Sequence, residues 1–381
     1  MRWQVLNLCV LALLGCQQQP AASDHSTRSP SKHEAGAQKG EMGKLINFKD
    51  WVVGCDNSLM CRAIGLPKDP RDSEFRIVVE RGAEADAAPK VWINTWPGHS
   101  IPPPAKLLID QRTIAFAPLP DSEFSSRIAP VDTAAFLNAL ADGRRLVLLD
   151  KDGRRIALEF DEHDPPRESD VSPDGAKAAL RYIDDRQKRV GTVTALVAKG
   201  DDPATNVPVA PSLPVIRLPA ASTKAPFPIE TALAMARPML KDFEGEDDRC
   251  PGFLSQHAAS YRLDATHSMI VLFLPCGVEG SGGYTRYVVL IADDTKPYRL
   301  QRVTFPMLRS YSDDDGTVLD AAEWHPEERR LTTSECNYHR TYVWDGNSFR
   351  LSEWSEIDEC QGMYSTRIYS DLITLWRAKV Q

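Results

Sequence analysis

Two cysteines stand in "WVVGCDNSLMCRAIGL", residues 51–66, and they are the first side chains whose type and spacing could do chemistry. A zinc site would want clustered Cys or His at spacings such as C-x2-C. A redox pair would normally be C-x-x-C. Cys55 and Cys61 fit neither, and a disulfide is the reading that remains. An extended chain of this length spans roughly 20 Å, far beyond the Cα separation of about 4.4–6.8 Å that a disulfide takes, so the chain must fold back. "KDWVVGC" and "CRAIGLP" read as strands, and "DNSLM" between them begins with turn formers. With Cys55 opposite Cys61, Val53 faces Ala63 and Trp51 faces Gly65, each large residue against a small one. A staple this short contributes roughly 2–3 kcal/mol on the chain-entropy account.

Four further cysteines, Cys250, Cys276, Cys336 and Cys360, lie in the body of the chain. With Cys55 and Cys61 they make an even set, which in an oxidising compartment points to disulfides. Sequence alone does not choose the pairing; spacing favours 55–61, 250–276 and 336–360. "NYHRTYVWDGNSFRLSEW" reads as a hairpin turning at Asp345-Gly346. That register sets Cys336 opposite Ser355, and the link to Cys360 then needs a bend after the second strand.

The densest carboxylate run is "YSDDDGTVLDAAEW". Asp313, Asp315 and Gly316 match positions three, five and six of a calcium loop, but Tyr311 and Ala322 fail at one and twelve. A solvated acidic turn is the default, and a shorter calcium turn with Asp313 and Asp315 as metal ligands is the alternative. In "GVEGSGGY" Glu279 stands where a nucleophile elbow needs glycine, so Ser281 heads a glycine loop instead. The histidines at 99, 163, 257, 267, 325 and 339 show no ligand spacing, which leaves open whether three meet in space. In "VWINTWPGHSIPPP" a strand points Trp92, Asn94 and Trp96 to one side. Two tryptophans flanking an amide can stack on a sugar or a peptide; the competing reading is the core side of a sheet.

The elements that must carry these residues begin after an N-terminal signal. "MRWQVLNLCVLALLGCQQQP" has one positive charge, Arg2, and an apolar run from Val5 to Leu14 broken only by Asn7. That run is shorter than the ~20 residues needed to span a bilayer and fits a secretory h-region. Its end, Leu13-Leu14-Gly15-Cys16, resembles the lipobox of bacterial lipoproteins. The resemblance implies cleavage after residue 15, lipid on Cys16 and, with Gln17 next, outer-membrane sorting, facing the periplasm or the exterior. Residues 16–44 have almost no large apolar side chain and read as a disordered tether.

The net charge of −8 and the absence of a basic cluster argue against nucleic acid as a partner. Two domains are expected from the length. Residues 45–200 read as a β-rich domain with two helices. The first is "DTAAFLNALADG", with Asp132 capping, Ala135, Phe136 and Leu140 on one face, and Gly143 at its end. The second is "SPDGAKAALRYIDDRQKRVG", with Ser172 capping and Pro173 in the first turn. Its buried face is Ala176, Ala179, Leu180 and Ile183, and Asp184–Lys188 and Asp185–Arg189 are expected i,i+4 ion pairs. "TVTALVAKG" follows as a strand. Residues 201–228, with seven prolines, read as a semi-rigid linker. Residues 229–381 open with an imperfect helix in "IETALAMARPML" and continue as strands, among them "SMIVLFLP", "YTRYVVLIA" and "DLITLWRAKV". The expected class is α+β, mostly antiparallel β, in two domains, each a small β-rich fold with one or two helices.

"FKDWVVGCDNSLMCRAIGL", "AALRYIDDRQKRVGTVTALVAKG", "YVWDGNSFRLSEW" followed by Cys360, and "LITLWRAKV" together resemble the bacterial domain-of-unknown-function family 1176, over about residues 46–380. "TTSECNYHR" departs from the glycine-rich stretch ending in Asp-Cys-Gly usual there. The first domain also resembles the secreted, β-rich invasion-associated locus B proteins. The resemblance implies an envelope location and two domains; it implies no activity, cofactor or catalytic residue. The expected function is therefore a lipid-anchored envelope module that binds an envelope protein or glycan without catalysis and touches the membrane only through its anchor. The alternative is an envelope hydrolase whose site is assembled only in the fold.

Overall fold

The structure, a computed structural model, describes residues 42–66, 75–95, 104–119, 126–158, 167–168, 172–240, 258–276, 284–296, 298–307, 316–335, 337–357 and 372–381. Nine strands form the first sheet: β1 (Ile46–Phe48), β2 (Trp51–Cys55), β3 (Cys61–Gly65), β4 (Phe75–Arg81), β5 (Lys90–Thr95), β6 (Lys106–Ile109), β7 (Arg112–Pro118), β8 (Ser126–Pro130) and β9 (Leu146–Leu149). Their order is β1-β2-β3-β4-β5-β8-β7-β6-β9, antiparallel throughout. The register of β2 on β3 is the expected one: Cys55 opposite Cys61, Val53 opposite Ala63, Trp51 opposite Gly65. Cys55 and Cys61 form the disulfide. Gly65 is required there, because a Cβ would stand 2.8 Å from Trp51 Cζ2.

Helices α1 (Thr133–Asp142) and α2 (Ala176–Arg186) cover one face of this sheet. Asp132 caps α1 by accepting from the Ala135 N–H at 2.9 Å. Phe136 and Leu140 are buried as expected, while Ala135 is only half-buried. In α2 the expected face, Ala176, Ala179, Leu180 and Ile183, is fully buried. Its start differs. The Ser172 hydroxyl accepts from the Asp174 N–H, a local turn, and the helix begins only after Gly175 at φ +98°. A Cβ at Gly175 would meet the Phe48 carbonyl oxygen at 1.7 Å, so the chain passes β1 on a glycine.

Two short strands follow α1, β10 (Ala157–Leu158) and β11 (Arg167–Glu168), paired with each other. Beyond α2 a 3-10 turn at Ala204–Asn206 leads to β12 (Val215–Ile216) and then to helix α3 (Ile229–Leu240). The second sheet holds β13 (Ala258–Arg262), β14 (His267–Cys276), β15 (Tyr284–Asp293) and β16 (Leu300–Arg302), with β17 (Leu319–Asp320) also on β15. The third is β18 (Glu323–His325), β19 (Arg330–Glu335), β20 (Tyr338–Trp344), β21 (Phe349–Glu356) and β22 (Ile373–Arg377), in that order. The closing strand β23 (Lys379–Val380) runs parallel to β12. Every other strand pair is antiparallel, and the class is α+β, mainly β, as expected.

The hairpin of β20 and β21 turns through four residues rather than two. Asp345 N–H donates to the Ser348 carbonyl, and the Asp345 carboxylate accepts from the Asn347 and Ser348 N–H groups. Together with a bulge at Thr341/Tyr342, this sets Ser355 opposite His339, not Cys336.

The two-domain division is not confirmed. Residues 35–381 fall in a single compact unit. The sheet face of β2–β5 turned away from the helices, Val52, Ile64, Val78 and Trp92, packs in one cluster with Met269, Val289, Tyr342, Trp354 and Trp376 from beyond residue 228. All three sheets thus give one face to a shared core. The opposite face of the first is closed by α1 and α2, and that of the second by α3 through Ala232 and Ala236. Among the described residues, no helix is long and apolar enough to cross a membrane.

Candidate functional site

Trp92 and Asn94 do not form a binding face. They point into the shared core, Trp92 8 % and Asn94 0 % exposed, with the Arg62 guanidinium carbon 5.6 Å from the Trp92 ring centroid. The reason is that β5 is central and covered on both sides, so its outward-looking parity is occupied by the second half of the chain. Trp96 lies outside the described residues, as do Cys16, Cys250, Cys336, Cys360, Asp313 and Asp315. Cys276 closes β14 opposite Tyr284, and only its backbone is described. Among the described residues no group of three or more His, Cys, Asp or Glu is placed to hold a metal ion.

The polar residues that the fold does bring together lie on the third sheet. One cross-strand row reads Glu323, Thr332, Thr341, Glu353, Arg377, each opposite the next. The neighbouring row reads Ser334, His339, Ser355, Thr374. Alternation puts both rows on one face, while Trp324, Leu331, Tyr342 and Trp354 enter the core on the other. Two bulges keep the parity: Ser352 is the extra residue opposite β20, and Leu375 the extra one opposite β21.

Most of these side chains are half-buried; Thr341 and Ser355 are buried and Glu323 is exposed. Hydrogen bonds run along the face: His325 Nε2 with Thr332 Oγ1 at 3.0 Å, His339 Nε2 with Thr341 Oγ1 at 3.3 Å, Ser355 Oγ with Thr374 Oγ1 at 2.9 Å. Burial holds the His339 imidazole below the ordinary histidine value; Glu353 opposes this and His325 adds to it. Beneath the face, the Arg340 guanidinium lies 4.0 Å from the Tyr338 ring centroid and 4.3 Å from that of Trp354. Such stacking is favourable where the cation is desolvated, and it fixes the sheet that displays the rows. Hydroxyls, imidazoles and carboxylates on a braced face can exchange many hydrogen bonds with a polar partner. The sequence signal was the alternation of "RLTTSE" and "YHRTYVW", masked by Thr333 and Arg340 at core positions.

The most distinctive sequence stretches are structural. In the turn closed by the disulfide, Asn57 pairs with the backbone of residue 377 in both directions, its amide nitrogen donating to the Arg377 carbonyl at 2.9 Å and its oxygen accepting the Arg377 N–H at 2.8 Å. The Arg377 guanidinium donates to the buried Asp56 carboxylate at 2.5 Å and to Ser58 Oγ at 3.0 Å. Downstream of α2, the expected ion pairs of Asp184 and Asp185 are replaced. Asp184 is buried and accepts from the N–H groups of Leu196, Val197 and Ala198 at 2.6–3.0 Å, so "TVTALVAKG" wraps a carboxylate instead of forming a strand. Arg189 is buried too, donating to Gln187 Oε1, to Thr194 and to the carbonyls of residues 82–85. Burial and the nearby Arg189 draw Arg81 down to about 10, with Asp184 opposing, and it keeps its charge at neutral pH.

These interlocked stretches run almost from end to end of the described chain, and the match to a family runs equally far. Residues 45–379 match the family described as a protein of unknown function (DUF1176). The chain belongs to this family. A relative within reach of direct comparison is the uncharacterized protein YpfG of Escherichia coli strain K12, 26 % identical over 350 residues, covering 86 % of this chain and 91 % of the relative. A solved structure, that of invasion associated protein b from Bartonella henselae, aligns with 38 % of this chain and 99 % of its own at 16 % identity, with a TM-score of 0.28. The DUF1176 description assigns no reaction, so the polar rows stand on their own chemistry.

Proposed function

We propose that this chain is a lipid-anchored protein of the bacterial envelope whose body is a non-catalytic binding module. Its recognition surface is the outer face of the third sheet. One observation carries this reading. All three sheets give one face to the shared core, and helices close the other face of two of them; the third carries instead two rows of polar side chains. Leu13-Leu14-Gly15-Cys16 supports the anchor, and residues 17–44 separate it from the body.

A photoreactive benzophenone amino acid at Thr332, introduced into the full chain in cells, tests the surface, with Asn138 on the exposed side of α1 as control. The reading requires a discrete adduct with an envelope protein or glycan at Thr332, none at Asn138, and loss of the adduct on His339→Ala. Equal labelling at both positions, or none at Thr332, refutes it. Cys16→Ser should move the protein from the membrane to the soluble fraction, and retention in membranes after a salt wash refutes the anchor.

A further inference from the structure

Between the two halves runs "VPVAPSLPVIR", residues 207–217, in which Pro208, Pro211 and Pro214 recur every third position. Polyproline II has three residues per turn, so three such prolines share one edge. Covalent constraint favours this conformation: proline fixes its own φ, and Val207, Ala210 and Leu213, each preceding a proline, are biased to extended backbone. Val207 is extended at φ −71°, ψ 125°. Both ends are pinned. Val207 is buried and its N–H donates to the Ala204 carbonyl, while the Pro214 carbonyl accepts from the Lys379 N–H at 2.8 Å and β12 pairs with β23. Between the pins Pro208, Pro211 and Ser212 are exposed and Val209 is 95 % exposed. Arg217, exposed just beyond β12, adds a positive charge at this end.

A linker needs extension but no display. Here an apolar edge is fixed at both ends and turned to solvent at Pro208 and Pro211, with a cation beyond one end. We infer that residues 208–214 are a preformed polyproline II ligand, with Arg217 beside it, for a protein partner with an aromatic-lined groove and an acidic rim. Prolines of this spacing seat in such grooves, and pre-ordering removes much of the entropic cost of docking. The rim follows from Arg217. This inference is independent of the polar rows, which lie on other elements.

The test uses the full chain in cells with the benzophenone amino acid at Val209, and at Val131, 71 % exposed elsewhere, as control. The expected result is one protein adduct at Val209 and none at Val131, with the crosslink mapping to an aromatic-rich peptide of the partner. In permeabilised envelopes a synthetic peptide of residues 206–218 should compete, and its Pro208→Ala/Pro211→Ala version should not. The same double substitution in the full chain should reduce the adduct at least tenfold. Arg217→Glu, an exposed change that leaves the prolines intact, guards against misfolding and should weaken capture too. No adduct at Val209, an adduct indifferent to the prolines and Arg217, or a crosslink to lipid or glycan overturns the inference.

Discussion

Single side chains hold parts of this protein together, and two of them give direct tests. Asp184 gathers three N–H groups, that of Leu196 buried and those of Val197 and Ala198 part-buried. Asp184→Ala strands those donors, each costing about 1–3 kcal/mol when buried without a partner. A loss of about 3 kcal/mol in urea unfolding is expected after local relaxation, with α2 still helical by circular dichroism. His339 makes a pH statement. Its folded-state pKa lies below the unfolded value of about 6.5, so the unfolded chain takes the proton first. Its contribution is fully present above about pH 6.5 and is lost as pH falls through the folded value. His339→Gln should therefore flatten the acid-side fall in stability, read from denaturant midpoints between pH 7.5 and 5. An unchanged slope would place that fall elsewhere.

At the level of elements, what the sequence reveals depends on whether a residue's role is local. The register of β2 and β3 is legible because Trp51 needs Gly65 and Val53 tolerates Ala63. The face of α2 is legible because helical spacing alone selects it. By contrast, no local signal says that Leu196, Val197 and Ala198 surrender their N–H groups to a carboxylate twelve to fourteen residues earlier. The polar rows were hidden for a related reason: Ser352 and Leu375 shift parity by one, so alternation read along β21 or β22 alone puts the wrong residues outward. Gly65→Ala tests the hairpin. The new methyl meets the Trp51 ring at 2.8 Å, and overpacking of this kind costs about 1–3 kcal/mol. The expected outcome is a lower melting temperature with the disulfide intact by mass spectrometry.

For the molecule as a whole, a clue to the shared core stood in β2 itself: "WVVGC" has no polar position on either face and all five residues are buried. A strand with two apolar faces must be covered twice, and α1 and α2 supply only one cover. Reading residues 201–228 as a joint between independent domains followed from composition, which reports extension but not what the flanking faces do. Cleavage engineered between Val209 and Ala210, in the exposed segment, is expected to leave the halves associated under native conditions and co-eluting on gel filtration. Separation into two folded fragments would restore the two-domain division.

Asn57 meets Arg377 across 320 residues of chain. The turn that receives β22 is therefore made early, and its counterpart emerges 320 residues later. Until then Val52, Ile64, Val78 and Trp92 lack the part of their cover that Ile373, Leu375 and Trp376 bring, and the buried Asp56 carboxylate has no cation. Contacts of such separation form slowly, so the nascent chain passes a long interval with its central seam open. A stop codon at Leu372 removes β22 and β23. It should nonetheless yield a product digested by protease as fast as one truncated after residue 228, whereas a gradual loss of resistance with length would show that the seam closes piecemeal.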